Sequence, residues 1–436
     1  MLPIQSAFEN YGDRVFLDIG ERKVLFAEVA TAAHSIARHL NEMQPCSFVV
    51  CDCSDIERYI SVFCACVIAD RTIVPFSTLK LSFDELIAQL PDFAFVDADG
   101  KLSFHQGSGT PNRESGDTYC LFTSGTTGKP KGILVSASNL AAYIEGISEH
   151  IPEYKTVKNI SAVFSPLFDL FYHDFLLAMA YGATLQVPTP RERMAMPDYL
   201  RARPIDIWFS TPTLAANVLS ALTRNTPSEA RSIHIPLSLF CGERLGAGLA
   251  INWANTMKSS VINVYGPTET TIACTAERVD TSSLEPDSDV SIGKPFGSNT
   301  ANVSEKGTLV ISGRQVAHYL TDGKVDSFDT KDLVSERDKK YYFLNRADRQ
   351  LKIKNFQIEK EELERIACAV PGVRYAKIQP IESAGLTTGF NVVVVGDTAA
   401  RSVIDAYRQR YGAALMPSAV KFVEEFETGT SGKARL

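Results

Sequence analysis

The chain of 436 residues is 45% apolar and 22% charged, a composition that supports a large buried core and excludes both wholesale disorder and a small stapled module. Its 44 basic and 51 acidic residues leave a net charge of −7 with no block of like charge, so nothing recruits a nucleic-acid backbone. No apolar run approaches the roughly 18–20 residues of a bilayer span, Met1–Ser6 carries no secretory signal, and the nine scattered cysteines read as reduced, buried thiols rather than a disulfide framework or a zinc site; a cytoplasmic protein without membrane or nucleic-acid partners is expected.

Short β-branched runs alternate with helical stretches through the first three quarters of the chain. Residues 47–51 predict a buried strand, 55–66 a helix and 72–76 the next strand. The rhythm returns with a strand at 205–210, a helix at 213–223, a strand at 238–241, a helix at 247–257 and a strand at 261–265. Parallel strands covered by helices are the simplest architecture for that order. From Gly307 the texture changes to short strands with hairpin signals, at 308–313 and 340–344. The polar stretch Asn345–Gln350 then precedes a tail with strands at 350–353, 374–379, 390–395 and 419–423 and helices at 360–369 and 399–411. The boundary falls there, giving a large domain of residues 1–345 and a small α+β domain of residues 346–436.

One segment carries the chemistry. The apolar strand Tyr119–Phe122 runs into Thr123, Ser124, Gly125, Thr126, Thr127, Gly128, Lys129, Pro130, Lys131 and Gly132. Glycines let backbone N–H groups approach an anion, hydroxyls donate to its oxygens and lysines offset its charge, so a polyphosphate is the natural guest. It is not a Walker loop, because Gly125 and Gly128 are too close together and Pro130 follows Lys129.

On this loop the sequence resembles the adenylate-forming, or AMP-binding, enzymes, which include the amino-acid adenylation domains of peptide synthetases and stand-alone D-alanine:carrier-protein ligases. The likeness runs from about Phe8 to Lys433. It implies a ligase that uses ATP and Mg²⁺ to turn a carboxylic acid into an acyl-adenylate and then passes the acyl group to a thiol. It implies an α/β fold whose large N-terminal domain has parallel-rich sheets with helices and a small β-barrel-like part, followed by a small mobile C-terminal domain.

Further segments match in family order. Tyr265, Gly266, Thr268 and Glu269 lie in a second nucleotide motif, where the resemblance places the tyrosine on adenine, the threonine on the α-phosphate and the glutamate on Mg²⁺. Gly242 and Glu243 match the adenine-pocket segment, and Asp332 the carboxylate that accepts from both ribose hydroxyls, with Lys331 where glycine is usual. Arg346 would contact the nucleotide and Asp348 would be the hinge; Asn355 stands in place of a glycine just beyond. Lys433 matches the lysine that bridges substrate carboxylate and phosphates.

Asp169 opens the segment that lines the acyl pocket. In amino-acid-specific members an aspartate here pairs with the substrate's α-ammonium, which points to an amino acid rather than a fatty or aryl acid. A helix-capping aspartate is the alternative. Leu170, His173, Leu239, Cys241, Val264, Ile272 and Ala273 match the other pocket positions and suit a small or medium side chain, with His173 a hydrogen-bond donor or a packing residue. The chain ends three residues after Lys433, so the acyl acceptor is expected to be a separate phosphopantetheinyl carrier protein. An acyl- or aryl-CoA ligase and a catalytically silent homologue remain the alternatives.

Overall fold

The computed structural model describes residues 2–77, 83–123, 131–225, 233–321, 323–347, 350–353, 356–383, 386–412, 415–428 and 434–435. Two large sheets dominate. In the first, of seven strands, Asp117–Thr123, Thr72–Phe76, Phe48–Asp52 and Phe93–Val96 run parallel, with antiparallel strands Lys131–Ser136 and Leu102–His105 outside them. In the second, of nine strands, the parallel set is Ser260–Tyr265, Leu237–Phe240, Ile207–Ser210, Asn159–Ser161, Thr184–Val187 and Val15–Ile19. Continuous apolar runs such as Phe48–Cys51 fit strands covered on both faces.

The Leu170–Tyr181 helix is mostly apolar, and its residues from Leu170 to Met179 are all buried. Such a helix can only be a core element. It packs through Phe175 on Phe16 and Phe63, with ring centroids 6.2 and 5.1 Å apart. Gly182, at φ +65° after its last turn, ends it in the left-handed conformation that glycine adopts without strain.

The β-rich part foreseen beyond Gly307 is a four-stranded antiparallel sheet, in the order Thr300–Val303, Thr308–Ser312, Ser327–Arg337, Lys340–Arg346. The tail carries a sheet of Val373–Ser383, Leu386–Gly396 and Ala419–Phe422, covered by the Lys360–Cys368 and Ala400–Tyr411 helices. Leu363, Ala376, Ile378, Phe390, Val392 and Tyr407 form a hydrophobic cluster distinct from the main core. Those two long strands outrun the sequence expectation because polar ends such as Glu382 and Thr387, which carry no apolar period, still pair beyond an irregularity after Ile381.

All nine cysteines are free, and Cys51, Cys64, Cys66, Cys120, Cys241 and Cys274 are buried. Among the described residues no helix is long and apolar enough to cross a membrane. Nor do those residues contain a group of three or more His, Cys, Asp or Glu side chains able to hold a metal ion.

Candidate active site

Ligand crevices in parallel sheets form beyond the carboxyl ends of the strands. Here the Leu237–Phe240 strand continues into Cys241, whose N–H donates to the Ser210 carbonyl at 3.2 Å, and then turns at Gly242 with φ +83°. That turn aims Glu243 back at the Pro212–Asn225 helix. Its Oε2 accepts from the Thr213 N–H at 3.0 Å and the Thr213 hydroxyl at 2.6 Å. The carboxylate therefore sits against the positive end of the helix dipole.

The neighbouring strand, Ser260–Tyr265, feeds a tight return loop. A Cβ on Gly266 would stand 2.5 Å from the Ala273 Cα, so only glycine fits where the loop crosses itself. Thr268–Thr270 form one helical turn, and Thr271 and Ile272 follow at φ +57° and +69°. Two consecutive left-handed residues with side chains cost on the order of 1–3 kcal/mol each and persist only where the surroundings hold them. The holder is Gln315, fully buried. Its Nε2 donates to the Ala273 carbonyl at 2.7 Å, its carbonyl accepts from the Thr271 hydroxyl at 2.6 Å, and its Oε1 accepts from Asn299 Nδ2 at 2.5 Å. The loop thereby presents Thr268 and Glu269 as half-buried groups at the rim.

Two predicted nucleotide residues meet directly: the Tyr265 phenol donates to Asp332 Oδ2 at 2.5 Å. Burial, and then the Asp332 charge, push the phenol's pKa well up, which keeps it a donor. Lys331 takes φ +61°, the backbone a glycine would adopt, and its ammonium is tied to Asp329 at 2.6 Å. The departure from glycine thus leaves the turn, and the Asp332 carboxylate, in place.

The pocket side is built on the start of the Leu170–Tyr181 helix. Asp169 is 8% exposed and its side chain makes no capping hydrogen bond. The capping alternative is therefore not what the side chain does. Behind it the Tyr119 and Tyr172 rings stack at 4.1 Å, and the Tyr172 and Tyr59 hydroxyls share a hydrogen bond of 2.6 Å. Leu170, Leu239, Cys241, Val264, Ile272 and Ala273 are all buried, on adjacent strand ends, the return loop and the helix start.

His173 is placed differently from the donor role considered for it. It is fully buried, with Nδ1 bonded to the Tyr143 hydroxyl and Nε2 to the Tyr154 hydroxyl, each at 2.5 Å. Burial pushes the imidazole down to about 3, so it is neutral: one nitrogen accepts from a phenol, the other donates to one. Neither nitrogen is left for a substrate. Asp174, the next residue, is 1% exposed and neither carboxylate oxygen has a hydrogen-bond partner. Burial raises its pKa well above the carboxylate range, so it is held as the neutral acid.

Thr123 and Arg346 end the Asp117–Thr123 and Lys340–Arg346 strands, and only their backbone is described. Ser124, Gly125, Thr126, Thr127, Gly128, Lys129, Asp348 and Lys433 lie outside the described residues.

The sequence profile of the AMP-binding enzyme family matches residues 85–319, more than half of the chain. The chain belongs to the AMP-binding enzyme family. A D-alanine--D-alanyl carrier protein ligase of Bacillus licheniformis is 30% identical over 318 residues, 63% of this chain and 62% of that protein. Surfactin synthase subunit 2 of Bacillus subtilis is 28% identical over 302 residues, 62% of this chain and 8% of that protein. The matches span 56–62% of the length of three D-alanine ligase relatives at 30–32% identity. Among solved structures, the Vibrio cholerae adenylation domain AlmE in complex with glycyl-adenosine-5'-phosphate superposes with TM-score 0.67 at 22% identity, over 98% of this chain and 94% of that one. ATP-bound MatB from Rhodopseudomonas palustris gives TM-score 0.77 at 19% identity, over 100% and 97%. These structures share the fold of this AMP-binding enzyme.

In this AMP-binding enzyme the donor set beside the return loop is one carboxylate, Glu269, next to the Thr268 hydroxyl. That is sparse for a resident metal but fits Mg²⁺, which keeps several waters and takes its remaining oxygens from substrate phosphates. Gln315 is the functional residue that sequence reasoning misses. Its signal is weak, a lone glutamine between Arg314 and Val316, and its partners on the return loop lie 42–45 residues upstream.

Proposed function

We propose that this chain activates an amino acid with ATP as an aminoacyl-adenylate and transfers it to the phosphopantetheine thiol of a separate carrier protein. The observation that carries the reading is Asp169, a buried carboxylate at the pocket end of a core helix that it does not cap. A carboxylate at that position favours a cationic group on the substrate, and an amino acid's α-ammonium supplies one. The D-alanine--D-alanyl carrier protein ligases and the adenylation domain with glycyl-adenosine-5'-phosphate support the same class of substrate.

In this reading Asp332, held by Tyr265, takes the ribose hydroxyls, and the loop from Thr123 to Lys129 and Thr268 hold the phosphates. Glu269 holds Mg²⁺, which when bound neutralises phosphate charge. Lys433 and Arg346 reach the reacting centre from the small domain, residues 346–436, with Asp348 as the pivot between it and residues 1–345. The substrate carboxylate attacks the α-phosphorus, the bond to pyrophosphate breaks, and positioning with charge stabilisation supplies the rate rather than a protein nucleophile. ATP as co-substrate agrees with a cytoplasmic setting.

Amino acids screened by ATP–pyrophosphate exchange test the reading. One or a few small amino acids should drive exchange, and Asp169→Ala should raise the amino-acid KM at least about tenfold while moving the ATP KM little, as the loss of one charge-assisted contact predicts. Lys433→Ala should abolish exchange. Exchange driven equally well by acids that lack an amine would instead make the chain an acyl- or aryl-CoA ligase.

A further inference from the structure

The tail has its own hydrophobic cluster, and its elements pack chiefly on one another. Among the described residues, two that lie one turn apart on the Pro212–Asn225 helix bond to it. Thr213 Oγ1 lies 3.2 Å from the Tyr375 hydroxyl, and Asn217 Nδ2 donates to the Phe426 carbonyl at 3.2 Å. The Tyr375 and Phe426 rings meet edge to face at 5.3 Å. Thr213 is also the residue that holds Glu243, at 2.6 Å. A hydroxyl has one proton, and the shorter contact is to the carboxylate, so Thr213 donates to Glu243 and the Tyr375 phenol donates to Thr213. The result is a directed chain from the small domain to the turn that follows the Leu237–Phe240 strand. On the small-domain side Lys377 stands 5.3 Å from the Tyr375 ring centroid and pairs with Glu364 at 3.5 Å, fixing the phenol from behind.

We propose that Tyr375 is a positioning residue, the small domain's end of a Tyr375–Thr213–Glu243 latch that couples the seating of that domain to the turn at Gly242. Interfaces between domains that rest on a few polar contacts permit relative motion. When the small domain lifts, the Tyr375 and Phe426 contacts are lost, while Thr213 and Glu243 keep each other. The latch itself opens at the cost of one neutral hydrogen bond.

The kinetic half of the test rests on the proposed function; the structural half does not. Tyr375→Phe should speed hydrogen exchange in the first turn of the Pro212–Asn225 helix and in residues 373–377. It should also change the ratio of adenylate formation to thiol transfer about fivefold, the effect of one neutral hydrogen bond on a two-state balance. The same substitution should add nothing in a Thr213→Val background, while Thr213→Ser should behave as the wild type. Equal losses in both half-reactions, additive effects, or unchanged exchange protection would overturn the latch. Wild-type protein without amino-acid-driven pyrophosphate exchange would sink the functional reading alone, and hydrogen exchange would still decide the latch.

Discussion

His173 and Asp174 are neighbours in sequence with opposite responses to pH. The imidazole sits at about 3 in the folded chain against 6.5 in an unfolded one, so the unfolded state binds the proton first. Stability is therefore lost as pH falls from about 6.5 towards 3, and the loss amounts to a few kcal/mol. The Asp174 carboxyl is raised above 3.8, so the folded state keeps its proton longer and stability declines as pH rises through and above that value. Melting temperatures across pH 4–8 should show it: His173→Gln should flatten the acid limb, and Asp174→Asn should flatten the fall towards neutral and alkaline pH. An unchanged profile in either variant would remove the corresponding assignment. Asp169, Tyr265 and Asp332 were legible in the sequence because short local motifs carry them. The two phenols that occupy His173 lie 30 and 19 positions upstream, where no local pattern points to them.

The return loop shows what an element needs beyond its own residues. Thr271 and Ile272 are left-handed because Gln315 binds the carbonyls around them. Gln315→Ala would leave the Ala273 carbonyl and the Asn299 amide without that partner, so a loss of about 3 kcal/mol is expected. Differential scanning calorimetry should record the drop, and the ATP KM should rise with it, because Thr268 and Glu269 stand on the same loop. A destabilised variant with an unchanged KM would separate the loop from the nucleotide. Sequence reading gave the regular elements well where apolar spacing is clean, as in the Ala247–Met257 helix, matched end to end. It gave no hint of the loop's path, since a run such as Thr-Thr-Ile-Ala carries no turn chemistry of its own.

At the level of the molecule, the tail's own hydrophobic cluster implies that it unfolds as a unit of its own. Ile378→Ala, a truncation inside the small cluster, should lower a transition assigned to the tail by about 2–5 kcal/mol and leave that of the main core in place. A single transition shifted as a whole would mean that the tail unfolds together with the main core. The sequence reading puts the division at the polar stretch Asn345–Gln350, whereas the Tyr375 contact carries no local signal, because 162 residues separate it from Thr213. The buried thiols carry a further consequence. Burial holds Cys274, next to Ala273, at about 12, and raises Cys51, Cys64 and Cys120 as well, so at neutral pH these groups offer almost no nucleophile. Under the proposed function, a mixed anhydride formed near them would wait for its acceptor without labelling the enzyme itself, and intact-mass spectra taken during turnover should show no acyl adduct on the chain.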